Sequence, residues 1–321
     1  MKKYLKNLLL SLMCIVVITT LIPASQIAKA ATRYTAVDSN NVSWTYTLYA
    51  GNATDVRLAS NVSGQLNVPY FLDGYLVTSA SGYKSGNNVY TFLMNYGANV
   101  TSVVFPFTLL EIGDYALYNR DKITSVYIPE GVTKIGYMAF YSMGALKSID
   151  LPSTLTTLGY SALGNSSLTT LKIPGNITSW GDYYNKYSTS DVYLQRLCIS
   201  SASLTTVEIE PGITVIPQAM FYNCKALKSI SIPYSVTSIE DNAFNNCTYL
   251  SQIIIPSSVT NIGKLAFNLC DGMGKIFILN PDATIYDSKQ TISTASIIYG
   301  YSGSTAESYA LKYNRTFIPL G

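Results

Sequence analysis

Glu208 and Glu210 sit two positions apart in a segment of strand-like alternation, which sends both carboxyls to one face. Paired carboxylates on a common face are the minimum equipment of a glycosidase, so a His-free carboxylate hydrolase acting on sugars or wall polymer is one expectation. The plainer one is a solvated strand edge in which Glu210 fills a position that other parts of the chain give to proline. The chain has no histidine, which removes Ser-His-Asp triads, Cys-His dyads and His-ligated metals. There is no G-x-x-x-x-G-K-S/T loop for nucleotide phosphates and no G-x-G-x-x-G turn, so no cofactor is expected.

The remaining reactive side chains are cysteines. Cys224, Cys247 and Cys270 recur at one constant interval, and Cys198 stands outside that period. Thiols locked to a repeat read as small buried side chains stacked in a ladder. Adjacent rungs leave a bridge geometrically possible, but a periodic trio cannot pair fully without Cys198. Three thiols on a line do not make a tetrahedral metal site.

Those cysteines belong to a larger periodicity. "ITSVYIPEGVTKIGYMAF" (123–140), "LKSIDLPSTLTTLGYSAL" (146–163), "LKSISIPYSVTSIEDNAF" (227–244) and "LSQIIIPSSVTNIGKLAF" (250–267) align without gaps. The Ile-Pro junction marks the register at Pro106, Pro129, Pro152, Pro174, Glu210, Pro233, Pro256 and Leu279, so every step but one has the same length to within a single position. One supersecondary unit repeated at constant length is a solenoid, and the long step from Pro174 to Glu210 carries an insertion of about 13 residues within about 181–203. In each unit, Leu-x-x-Val/Ile-x-Ile-Pro predicts a half-buried strand ended by proline. A second short apolar stretch follows, as in Val132–Ile135, and then a compact segment with Gly113, Gly136, Gly159 or Gly263 at its corner. Phe140, Phe221, Phe244 and Phe267, with Leu117 and Leu163, should stack along the interior.

The repeat resembles the BspA-type, or treponemal-type, leucine-rich repeats of bacterial surface proteins, with matching residues from about Val100 to Leu279. Trp44 to Ser79 is similar to that family's strand-rich opening, and Ala295 to Gly321 to its closing strand, helix and strand. Departures are Glu210 for Pro, Trp180 for Ile or Leu, Tyr184 for Ala, and the insertion. The resemblance implies a leucine-rich-repeat right-handed β-solenoid or horseshoe with repeats of about 23 residues. It also implies a strand-rich N-terminal cap and a β-α-β-like C-terminal cap. The resulting division is 1–30 leader, 31–99 cap and degenerate first repeat, 100–279 repeats and 280–321 C-terminal cap. In function it implies a non-catalytic protein that binds or adheres to host or cell-surface ligands; a cell-wall-associated structural protein is the alternative to set beside the hydrolase.

Location follows from the segment 1–30. Lys2, Lys3 and Lys6 precede the apolar run Leu8–Ile22, and Ala28-Lys29-Ala30 fits a small-x-small cleavage site, so a secretory signal peptide cut before Ala31 is expected. Its removal takes four lysines from the 21 basic side chains and leaves slightly fewer than the 18 acidic ones, which argues against a nucleic-acid partner. No later segment is apolar for long enough to span a membrane. The expected product is secreted or cell-surface associated.

A binding face can be read from the outward strand positions. Val104, Tyr127, Asp150, Lys172, Glu208, Ser231, Ile254 and Phe277 form one variable column beside a column dominated by hydroxyls. At about 4.8 Å per rung the eight positions span about 38 Å. Tyr127, Asp150, Lys172, Glu208, Ile254 and Phe277 are the candidate contacts. Tyr183, Tyr184, Tyr187 and Tyr193 of the insertion form a second candidate anchor, because tyrosine offers contact area at low entropy cost.

Overall fold

The computed structural model describes residues 32–86, 88–181, 199 and 201–321, of which Arg33–Gly321 forms one compact unit. The leader with its Ala31 site, the four insertion tyrosines and Cys198 lie outside the described residues.

Most turns of the solenoid contribute one strand to each of two stacked parallel ladders, and the turn carrying Asp150 gives one to the second alone. The first is built from Ser63–Asn67, Asn99–Val104 and Ser125–Tyr127, then Thr170–Ile173, Thr206–Ile209 and Ser229–Ile230, then Gln252–Ile255, Lys275–Ile278, Ile297–Tyr301 and Phe317–Leu320. The second runs through Ser79–Ala80, Glu111–Ile112, Lys134–Ile135, Thr157–Leu158 and Ser179–Trp180, and resumes at Val215–Ile216, Ser238–Ile239, Asn261–Ile262 and Thr284–Ile285. Alternation places one face of each strand inside: in Thr170–Ile173, Thr206–Ile209 and Gln252–Ile255 the second and fourth residues are buried and the others exposed. The long step leaves the first ladder in register, with Lys172 beside Glu208 and Ile173 beside Ile209. It interrupts the second, because Ser179–Trp180 pairs back to Thr157–Leu158 but not forward to Val215–Ile216. Where the two sides of the insertion meet, the backbones touch closely: a Cβ on Gly175 would stand 1.9 Å from the Pro211 carbonyl oxygen.

A third run of rung-to-rung bonds crosses the compact segment. Phe140 N–H donates to Ala162 O, Phe221 N–H to Ala243 O and Phe244 N–H to Ala266 O, each at 2.8 Å. To aim these amides along the axis, the backbone turns left-handed twice per repeat, at 115 and 119, 138 and 142, 161 and 165, 219 and 223, 242 and 246, and 265 and 269, with φ between 48° and 65°. Asparagine, which tolerates this region, holds the second site at Asn119, Asn165, Asn223 and Asn246, whereas Leu269 holds it in the last repeat. Asn246 Nδ2 donates to Asn223 Oδ1 at 2.5 Å, so the side chains form a ladder of their own.

The expected spine is present. Phe140, Phe221, Phe244, Phe267, Leu117 and Leu163 are fully buried, and the Phe221–Phe244 and Phe244–Phe267 rings stack at 5.2 and 5.3 Å. Beside it run three buried, unlinked thiols. Cys224 Sγ donates to Ile199 O, Cys247 Sγ to Phe221 O and Cys270 Sγ to Phe244 O, at 3.4, 3.2 and 3.1 Å. Burial pushes the Cys224 thiol up to about 12.

The ends depart from the repeat. Arg33–Val37, Ser43–Tyr49 and Asn52–Leu58 form an antiparallel meander whose last strand meets the parallel ladder at Val56 and Ala80. At the other end, Ile297–Tyr301, a helix over Thr305–Lys312 and Phe317–Leu320 make a β-α-β unit with parallel strands. Ser304 caps the helix by accepting from Glu307 N–H, and the Glu307 carboxylate accepts from Gly303 N–H at 2.6 Å.

Candidate binding face

Because strand residues alternate sides, every variable-column residue must emerge on the outer face of the first ladder, and strand register brings neighbours together. Val104 lies beside Tyr127, Lys172 beside Glu208 and Ile254 beside Phe277. Tyr127, Asp150, Lys172, Glu208, Ser231 and Ile254 are exposed, while Val104 and Phe277 are half-buried. The rung of Asp150 keeps the alternation, with Ile149 buried, and its Lys147 O accepts from Thr169 N–H at 2.9 Å, but it forms no strand of the ladder; this coincides with the slightly shorter step to Pro174.

The column is longer than the repeat period predicts. Asn67 pairs beside Val104 at its start, and Tyr299 and then Ile318 continue it beyond Phe277. Tyr299 falls almost one full period beyond Phe277, so extending the step once more would have found it. Asn67 and Ile318 belong to caps, whose spacing follows no repeat.

Its chemistry changes along its length. The centre is charged: Lys172 Nζ lies 3.3 Å from a Glu208 oxygen and 2.9 Å from a Glu210 oxygen. The second oxygen of Glu210 accepts from Gly175 N–H at 3.3 Å, and the Glu210 amide donates to Ile173 O at 3.0 Å. Lys172 and the Gly175 amide hold the Glu210 carboxyl below its usual range, and the two carboxylates hold the Lys172 ammonium above its own. A general acid needs the opposite displacement. Lys172 clamps the pair, and the Glu210 amide makes a bond for which the proline of the other repeats has no N–H. Further along, the face turns apolar, with Ile254, Phe277, Tyr299 and Ile318 in sequence and the Phe277 and Tyr299 rings stacked at 4.5 Å.

Among the described residues there is no cluster of metal-ligating side chains, and no helix is long and apolar enough to cross a membrane.

A family model described as BspA type leucine rich repeat region matches residues 88–191 and 193–316, in six copies. A leucine-rich repeat protein from Bacteroides ovatus superposes with a TM-score of 0.59 at 22% identity, over 81% of this chain and 69% of that one. A T. pallidum leucine rich repeat protein gives a TM-score of 0.45 at 15% identity, over 79% and 91% of the two chains. For a leucine rich cell surface protein from Faecalibacterium prausnitzii the values are 0.30 and 21%, over 77% and 95%. No curated protein matches the chain.

Proposed function

We propose, from the premise that the chain belongs to the BspA type leucine-rich repeat family, that it is a non-catalytic protein-binding module whose ligand lies along the outer column of the first ladder. The observation that carries this reading is the polarity of that column. The charged residues Asp150, Lys172 and Glu208, the last two paired in register, are followed beyond Ser231 by the apolar run Ile254, Phe277 and Tyr299, itself in register. A ladder needs only alternation on its inner face, so the outer residues are free to suit a partner. An outward apolar run, exposed at Ile254 and half-exposed at Phe277 and Tyr299, bordered by charge matches an interface with a desolvated anchor and a polar rim that sets orientation and association rate. Two carboxylates and one ammonium at the clamp, with Asp150 beside them, favour a partner with a basic patch.

The family premise and the leader-like segment 1–30 together support display outside the cell, as a secreted or surface-associated chain processed before Ala31 and divided as 31–99, 100–279 and 280–321. Tyr183, Tyr184, Tyr187 and Tyr193 are a second contact region in this reading.

Capture of extracellular and cell-surface proteins on the immobilised mature chain, followed by identification and equilibrium titration of the bound species, tests it. Tyr127→Ala with Ile254→Ala, both at exposed side chains, should weaken the retained partner at least tenfold with the melting temperature nearly unchanged. Undiminished binding by that double variant would refute the column as the site.

A further inference from the structure

A recess is built at the N-terminal end. A cleft of about 460 Å³ lies between the loop after Arg33–Val37 and the hairpin Phe71–Leu72/Tyr75–Leu76, floored by the turn at 104–106. Loops of this kind are ordinarily mobile, but both walls are pinned to one strand. On one side, Asp38 Oδ1 accepts from the amides of Asn40 and Val42 at 2.8 and 3.0 Å, and its Oδ2 accepts from Trp44 Nε1 at 2.8 Å. On the other, Asp73 Oδ2 accepts from the Tyr46 hydroxyl at 2.7 Å. Trp44 and Tyr46 alternate on Ser43–Tyr49 and are both buried. Two carboxylate-to-aromatic clamps on a single strand therefore fix the width of the cleft before any ligand arrives, which lowers the ordering cost of binding.

The lining decides the ligand class. Tyr70 and Phe71 are exposed and line the cleft, and Tyr70 packs against Phe107 at 4.8 Å. The lining also carries polar atoms with no hydrogen-bond partner among the described residues: the side-chain amide of Asn40, the Nδ2 of Asn67 and the second oxygen of Asp73. No lysine or arginine lines the cleft, so phosphates and carboxylates have no counter-charge and meet Asp38 and Asp73. A wholly apolar ligand would strand those amides. A ligand with an apolar C–H face for the rings and hydroxyls around its edge satisfies both halves of the lining.

We propose that this cleft binds a neutral carbohydrate, one or two sugar rings in size, stacked on Tyr70 and Phe71 and hydrogen-bonded by Asn40, Asn67 and Asp73. The site stands apart from the charged and apolar parts of the protein-binding column, which it touches at the first two positions, Asn67 and Val104.

Titration calorimetry of the mature chain with chitobiose, cellobiose and maltose tests it, the first two representing β-linked polymers and the third α-linked ones. At least one should saturate with a dissociation constant in the millimolar range or tighter, on the order of −4 kcal/mol or better. Tyr70→Ala and Phe71→Ala, both at exposed rings, should each weaken that binding about tenfold while retaining the wild-type melting temperature. Tyr127→Ala should leave it unchanged. No saturation by any of the three, or equal binding by the ring variants, overturns the proposal. So does a tetra-arginine peptide that binds where the sugars do not and is lost in Phe71→Ala, since the cleft would then be a cation site.

Discussion

Replacing Phe244 by alanine removes a ring that is fully buried and packed face to face on Phe221 at 5.2 Å and Phe267 at 5.3 Å. Transfer and cavity terms for a buried phenylalanine amount to about 3–5 kcal/mol. Offset-stacked pairs contribute about 0.5–1.5 kcal/mol beyond area, and this ring sits in two. The upper half of the range, about 4–5 kcal/mol, is therefore expected. Phe244→Leu isolates the shape term, because Leu117 and Leu163 occupy the same repeat position in full burial. It should retain most of the volume and cost about 1–1.5 kcal/mol. Reversible urea denaturation followed by far-ultraviolet circular dichroism gives both values, and hydrogen exchange shows where the damage falls. Solenoid stability is a sum of nearest-neighbour interfaces, so protection should drop first at the amides of Phe221 and Phe244, which bridge adjacent turns. A loss below about 1 kcal/mol for Phe244→Ala, or equal losses for alanine and leucine, would refute the stacked spine as the source of this stability.

Leu269 is half exposed at φ 56°, next in line after the Asn223–Asn246 ladder, so Leu269→Asn should relieve backbone strain, add an amide bond and raise stability by about 0.5–1 kcal/mol in the same denaturation assay; destabilisation would show that the leucine packs more than it strains. Cys224, Cys247 and Cys270 should resist a thiol reagent at pH 8 in the folded protein, because burial raises the Cys224 thiol to about 12 and the Cys247 thiol well above its usual value, and react fully in urea. A Cys224–Cys247 linked peptide under non-reducing conditions would overturn the ladder of free thiols. The Glu210 carboxyl is depressed below 4.5 in the folded state, so its contribution is present above that value and is lost as pH falls through the folded one. The stability difference between wild type and Glu210→Gln should shrink between pH 7 and 3, whereas a difference independent of pH would place the carboxylate outside the clamp. Glu210→Pro restores the repeat residue but deletes the amide bond to Ile173 O, and should cost about 1 kcal/mol by the same measurement; a gain would show that the bond is dispensable.

The amino-acid order alone determined the repeat, the alternation that sends Ile173 and Ile209 inward and Lys172 and Glu208 outward, the phenylalanine spine and the thiol column. Each is a one-dimensional pattern, since a solenoid translates equal spacing in the chain into adjacency in space. Other features arose only when turns lay on one another. The paired left-handed residues fall on Tyr115, Met138, Ser161, Ala219 and Leu265 as readily as on asparagine, because the demand comes from pointing amides at the next turn and not from the residue's own preference. That Glu208 and Glu210 share a face was legible in the order of residues, but their ion pairs with Lys172, from the far side of the insertion, exist only through parallel pairing. The break in the second ladder could not be read from a spacing that leaves the first in register. The N-terminal cleft was least visible of all, because its walls come from the non-repeating segments around Asp38 and Asp73, and the hydrogen bonds that hold them to Trp44 and Tyr46 follow no period.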